Sequence, residues 1–151
     1  MWTKIRSKLL EMLPKCLEGK VDFKMSAYRF GWRSSDKNHQ LPTITIIYNK
    51  KIVLRTYQYI DYINSNGKRY REDMYFDTDH FFDALRQYLS MKHENARVID
   101  DYYIRIFTLL DKRTGKRTLQ VLKDDYDSCT EQELKNIYEL RFKEEGLSLR
   151  S

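Results

Sequence analysis

Thr43 to Leu54 read "TITIIYNKKIVL". Two runs rich in β-branched residues stand on either side of a polar break at Asn49–Lys50. Branched side chains fit a pleated strand better than a helix. A short break between two such runs predicts an antiparallel hairpin. Upstream, Val21, Phe23, Met25 and Ala27 alternate with Asp22, Lys24 and Ser26. That period of two predicts a third, half-buried strand. Between them "YRFGWRSSDKNHQLP", residues 28–42, reads as a polar loop ending at Pro42. Downstream, Ser65-Asn66-Gly67 is a second turn signal, and Asn-Gly suits a type I′ turn. Its flanks, "YQYIDYIN" and "KRYREDMYF", admit both a strand and a helix reading.

Outside this strand-rich centre the period changes. Trp2, Ile5, Leu9, Met12 and Leu13 recur at helical spacing, with Lys4, Lys8 and Glu11 on the other side and Pro14 and Gly19 at the end. A basic amphipathic helix with a tryptophan can lie on a membrane surface. Nearly every core-packed surface helix carries the same stripe, and core packing is the reading taken. After Phe76, "DTDHFFDALRQYLS" opens with the capping residues Asp77, Thr78 and Asp79. Its expected buried stripe is Phe82, Leu85 and Leu89, with Phe81 and Tyr88 beside it. "DDYYIRIFTLLDKR" predicts a second helix with the stripe Tyr103, Ile106, Phe107 and Leu110 and two aspartates at its N-terminal end. "KRTLQVLK" predicts a short third one. In "TEQELKNIYELRFKEEG", Thr130 and Glu133 have capping-box spacing. Leu134, Ile137, Tyr138 and Phe142 form the apolar face, and Gly146 stands where a C-cap glycine would. Strands first and helices afterwards predict an α+β fold. The expectation is one domain over 1–151, a small antiparallel sheet with an N-terminal amphipathic helix and a C-terminal helical layer.

Length and composition allow a real core: 151 residues, 41% hydrophobic and 14% aromatic. No run approaches the roughly 18 apolar residues of a membrane span, and the N-terminus lacks the apolar stretch of a signal peptide. Cys16 and Cys129 make no disulfide framework or CxxC pair. A cytoplasmic, reduced protein is expected. The net charge of +6 is unevenly spread. Residues 1–76 hold 15 Lys/Arg against 7 Asp/Glu, and residues 77–151 hold 13 against 15. A basic half is a hint of an anionic partner.

Chemical motifs are scarce. His39, His80 and His93 have no metal-ligand spacing to each other or to a cysteine, and no HExxH or G-x-S-x-G is present. "DTD" lacks the rest of a calcium loop. "KRTGKR", residues 112–117, has no P-loop spacing. It reads instead as a connection between helices: Lys112 and Arg113 in the last turn of one, Gly115 left-handed at its stop, Lys116 and Arg117 opening the next. A helix–turn–helix DNA motif has a similar outline, but the short, acid-ended segment after Gly115 argues against it. Two candidate contact clusters remain. Tyr28 to Arg33 and Lys68 to Arg71 interleave aromatics with cations, a composition suited to stacking bases and neutralising phosphates. From it come Arg29, Trp32, Arg33, Lys68, Arg69, Tyr70 and Arg71 as candidate anion or nucleic-acid contacts. Lys112, Arg113, Lys116 and Arg117 are the second set.

"MWTK" at the start, "FFDALRQYL", "LLDKRTGKRTL" and "YELRFKEEGL" together resemble a family of small uncharacterised bacterial proteins. Its members open with Met-Trp-Ser/Thr-Lys and share an "LD-R-GKR-L" segment and an "LR--EG" helix. The resemblance runs along most of the chain and is strong at the N-terminus and over roughly 81–147, but not over about 30–76. It implies a small bacterial intracellular domain and assigns no activity or site residue. The functional expectation is a non-enzymatic domain without cofactor or metal that binds a protein partner in an accessory, regulatory or immunity-like role. The alternative is nucleic-acid binding through the basic, aromatic-rich first half; no membrane partner is expected.

Overall fold

The computed structural model describes residues 2–28, 41–56 and 78–149. The protein is α+β: helix α1 (Trp2–Met12), strands β1 (Val21–Tyr28), β2 (Leu41–Tyr48) and β3 (Lys51–Arg55), then helices α2 (Thr78–Ser90), α3 (His93–Ala96), α4 (Tyr102–Leu110), α5 (Lys116–Ser128) and α6 (Gln132–Glu144). The short α3 has no counterpart in the sequence reading. The Ser65–Gly67 turn and its two flanks lie outside the described residues.

The strands form an antiparallel meander in the order β1-β2-β3. The alternation in Val21–Ala27 sets the register: Phe23 faces Ile46 and Ile46 faces Leu54, so one apolar row crosses the whole sheet. β2 starts at Leu41, two residues before the expected β-branched run. The hairpin at Asn49–Lys50 is made as the sequence predicts. Both residues have positive φ, 50° and 69°, as a type I′ turn needs. Val53 is an extra residue opposite Ile46/Ile47, a bulge, and its carbonyl accepts from Asn136 Nδ2 on α6 at 3.3 Å. Past β3, Thr56 continues the ladder. Its N–H donates to Ile44 O (2.9 Å) while its hydroxyl oxygen accepts from Ile44 N and bonds Thr78 Oγ1 (2.8 Å). That stitches the end of the sheet to the start of α2.

The helices cover the Phe23–Ile46–Leu54 face. Leu9 and Leu13 bring α1 onto the core, and Trp2, Ile5 and Met12 pack at its border; Lys4, Lys8 and Glu11 point out. Arg6 holds α1 to β1 through Asp22 (2.9 Å). On α2 the buried stripe is Phe81, Ala84, Leu85 and Tyr88, and Leu89 is 45% exposed. The expected stripe is therefore rotated: Phe81, not Phe82, sits edge-on to Tyr103 and Phe107. α4 differs more. Every residue from Tyr103 to Leu110 is buried, so it is a central helix and not the amphipathic one expected. Of the two aspartates expected at its start, Asp101 is the N-cap, accepting from Ile104 N at 3.0 Å. α6 buries its expected face. It ends in a Schellman motif at Gly146 (φ 71°), with Leu147 N–H donating to Phe142 O and Gly146 N–H to Lys143 O. The capping box at Thr130 does not form, because α6 begins at Gln132 with Glu131 as an N-cap that makes no side-chain bond. Among the described residues no helix is long and apolar enough to cross a membrane.

Candidate functional site

The connection "LDKRTGKR" between α4 and α5 is where the polar side chains of the described residues converge. α4 stops at Leu110, and Asp111 leaves it in an extended conformation (φ −84°, ψ 131°). The stop is made by that aspartate. Its carboxylate turns forward and accepts from Arg113 N at 2.8 Å, an Asx turn. It also accepts from Arg113 Nε and Nη2 (3.0 and 2.7 Å) and from the Tyr88 hydroxyl. Gly115 is not left-handed. It is extended (φ −82°, ψ 176°) and serves as the N-cap of α5. Lys112 and Arg113 lie past the helix, not in its last turn. Lys116 and Arg117 do open the next helix, and that helix runs to Ser128, longer than expected. Asp124 and Asp125 lie within it.

Thr114 is fully buried. Its hydroxyl proton goes to Thr108 O at 2.6 Å, since a carbonyl only accepts. The 2.8 Å contact with His93 Nε2 is then donated by the imidazole, so Nε2 carries the proton. Beneath the turn lies Arg141 of α6, 1% exposed. Its Nη1 donates to Leu109 O (2.7 Å) and Asp111 O (2.9 Å), and its Nη2 to Thr114 O (2.6 Å). Its Nε meets Glu145 Oε1 at 3.1 Å, and Glu145 in turn accepts from the Cys16 thiol. One guanidinium thus gathers carbonyls left over at the end of α4 and in the turn, a task suited to its fixed fork of donors.

The electrostatics follow the bonding. Burial alone would raise the Asp111 pKa; the bonds from Arg113 and Tyr88 outweigh it and hold the carboxyl below the usual range. Burial and the bond to Asp111 push the Tyr88 phenol up. Burial pulls His93 down; Asp111 opposes this and Arg113 and Arg97 add to it. Burial raises both thiols, Cys16 and Cys129, with Glu145 adding at Cys16, so neither is a ready thiolate. Tyr48 is pushed up to about 12 by burial and its bond to Glu144. Tyr88, His93, Asp111, Arg113, Thr114 and Arg141 are all committed to holding the turn in place. Among the described residues no cluster of His, Cys, Asp or Glu could hold a metal ion.

The structure separates the second candidate set. Arg113 is bound to Asp111 with its guanidinium over the Tyr88 ring, 5.8 Å from the centroid. Lys112, Lys116 and Arg117 are exposed, and the Lys112 N–H donates to Met12 O at 2.6 Å, tying the turn to α1. Arg29, Trp32, Arg33, Lys68, Arg69, Tyr70 and Arg71 lie outside the described residues. Sequence reasoning missed Tyr88, Asp111, Thr114, His93 and Arg141 as one network. One signal was present: Leu134, Ile137, Tyr138, Arg141 and Phe142 fall on one helical stripe, so a charge stood among the buried positions. His80 bonds Asp101 Oδ1 at 3.1 Å.

No curated protein and no solved structure matches the chain. Residues 60–142 do match a family model. That span is more than half of the chain, and it holds the Tyr88, His93, Asp111, Arg113, Thr114 and Arg141 network; the chain belongs to the SF0329 protein family.

Proposed function

We propose that this protein is a non-enzymatic interaction domain and that its partner is a protein. The observation that carries this reading is the division of labour around the α4–α5 turn. The groups with chemical potential, Asp111, Tyr88, His93 and Arg141, are consumed by internal bonds. The groups left to solvent, Lys112, Lys116 and Arg117, are charges at the turn and the start of α5. An exposed charged edge steers and orients a partner. The two free thiols fit a reducing cytoplasm, and the bacterial setting rests on the resemblance.

Nucleic-acid binding is the second reading, favoured by that exposed lysine–arginine edge. The two separate in one experiment. The purified chain is titrated with a pool of single-stranded oligonucleotides at about 50 and about 200 mM salt, and the tagged chain is used in parallel to capture proteins from lysate. The expected result is no oligonucleotide binding and a protein retained in stoichiometric amount. Oligonucleotide binding at low salt that weakens tenfold or more at the higher salt overturns the protein reading.

A further inference from the structure

Helix α5 is charged against its own dipole. A helix favours acid near its N-terminus and base near its C-terminus, each worth about 0.3–1 kcal/mol. α5 has the opposite: Lys116 and Arg117 in the first turn, Asp124, Asp125 and Asp127 toward the end, no acid in the first turn and no base in the last. Asp125 is accounted for by Arg105 of α4, 2.9 Å away. Arg117, Asp124 and Asp127 have no ion-pair partner among the described residues. α5 is also thinly held, burying only Leu119 and Leu122 of its 13 residues. Arg117, Val121 and Asp124 fall at i, i+4 and i+7, on one exposed stripe. Val121, at its middle, is 68% exposed.

We propose that this stripe is a self-association face and that its occupant is α5 of a second copy of the chain. The face is bipolar, so a polyanion would meet the aspartates and a polycation the lysine and arginine. A partner must carry both signs in reverse order. Antiparallel α5 does so. With a two-fold axis at Val121, Arg117 of each copy meets Asp124 of the other, and the two Val121 side chains meet on the axis. The helix dipoles also run opposed. Such an interface is isologous and closed, so it stops at a dimer. One helix per copy buries less than the about 1,200 Å² of a stable standard interface. The dimer is therefore weak, concentration-dependent and sensitive to salt.

This inference rests on the reading of the protein as a protein-binding domain and names one partner. Sedimentation of the full chain from about 1 µM to about 1 mM tests it, at about 10 mM and about 150 mM salt, where the Debye length falls from about 30 to about 8 Å. The wild type is expected to dimerise within this range, more weakly at the higher salt. Arg117→Glu is expected to weaken the dimer tenfold or more, since each dimer contains the contact twice. Arg117→Glu with Asp124→Lys is expected to restore it. Neither change should lower the melting temperature of the dilute protein, because glutamate at the helix start and lysine near its end follow the dipole. A wild type that stays monomeric throughout, or an Arg117→Glu dimer as tight as the wild type, overturns the inference. If lysate capture still retains a different protein in that case, the self-association face fails and the protein-partner reading stands.

Discussion

Arg141 is the residue on which the α4–α5 connection depends. It occupies a core position yet carries a charge, and three backbone carbonyls converge on it. Removing a buried cation while its acceptors stay buried costs far more than the same change on a surface. Arg141→Leu is expected to lose about 3–5 kcal/mol in urea unfolding. Arg141→Lys should recover little of that, because one ammonium cannot match a planar fork aimed at carbonyls from different segments. A lysine variant as stable as the wild type would mean that charge alone matters there. His93 has a second consequence. Its pKa is depressed in the folded state, so the unfolded chain binds the proton more readily. Its contribution is complete above the ordinary value of about 6.5 and is lost as pH falls below it. Stability measured from pH 7.5 downward should therefore decline below about 6.5, and His93→Asn should flatten that slope. An NMR titration midpoint of His93 above the ordinary value would contradict this.

At the scale of elements, the hairpin shows how local chemistry and tertiary demand share the work. Asn49 is a good left-handed residue, but Lys50 at φ 69° is not. The turn geometry is imposed by the register of the strands it joins, with Tyr48 opposite Lys51. Lys50→Gly relieves the strained side chain at the cost of a more flexible unfolded chain. The expected net effect is a gain of about 0.5–1 kcal/mol in thermal or urea unfolding. A loss of stability would mean that the Lys50 side chain contributes more than its backbone costs. Elsewhere the element ends were set by different groups from those the sequence advertised. Asp111 stopped α4 where Gly115 was expected to, because a carboxylate held by Tyr88 and Arg113 makes an Asx turn that needs no positive φ. Thr130 and Glu133 have the spacing of a capping box, but α6 starts one residue later than the box requires, with Glu131 as its N-cap.

Across the whole molecule, α4 is the axis. It packs between α2 and α6, buried from Tyr103 to Leu110, and the network at its C-terminal end ties in α1, α2, α3 and α6. α5 lies at the other extreme, with two buried side chains. Local opening follows such differences in buried apolar contact. In native-state hydrogen exchange of the dilute protein, amides of α4 are expected to exchange only with global unfolding, and those of α5 with a lower opening free energy. Equal protection of both helices would count against α5 as a thinly anchored element. Its reversed charge pattern then becomes intelligible as a surface kept for contact, tolerated because the core does not depend on it.

The sequence by itself determined the class of fold, the three strands with their hairpin, and four of the helices that follow the sheet. Period, branched residues and turn chemistry act over a few residues, and those signals are local. It also determined that aspartates would open α4 and that Gly146 would end α6, since both ends are closed by groups within one turn. Only the tertiary structure decided which way α2 faces, that α4 is buried all round, and that "KRTGKR" is anchored from below by Arg141, 24 residues past Arg117. Periodicity marks an apolar stripe, but the neighbours decide how wide the buried surface becomes. A buried charge is visible in the sequence as a charge. That it faces three carbonyls, and not water, depends on segments brought together by the fold.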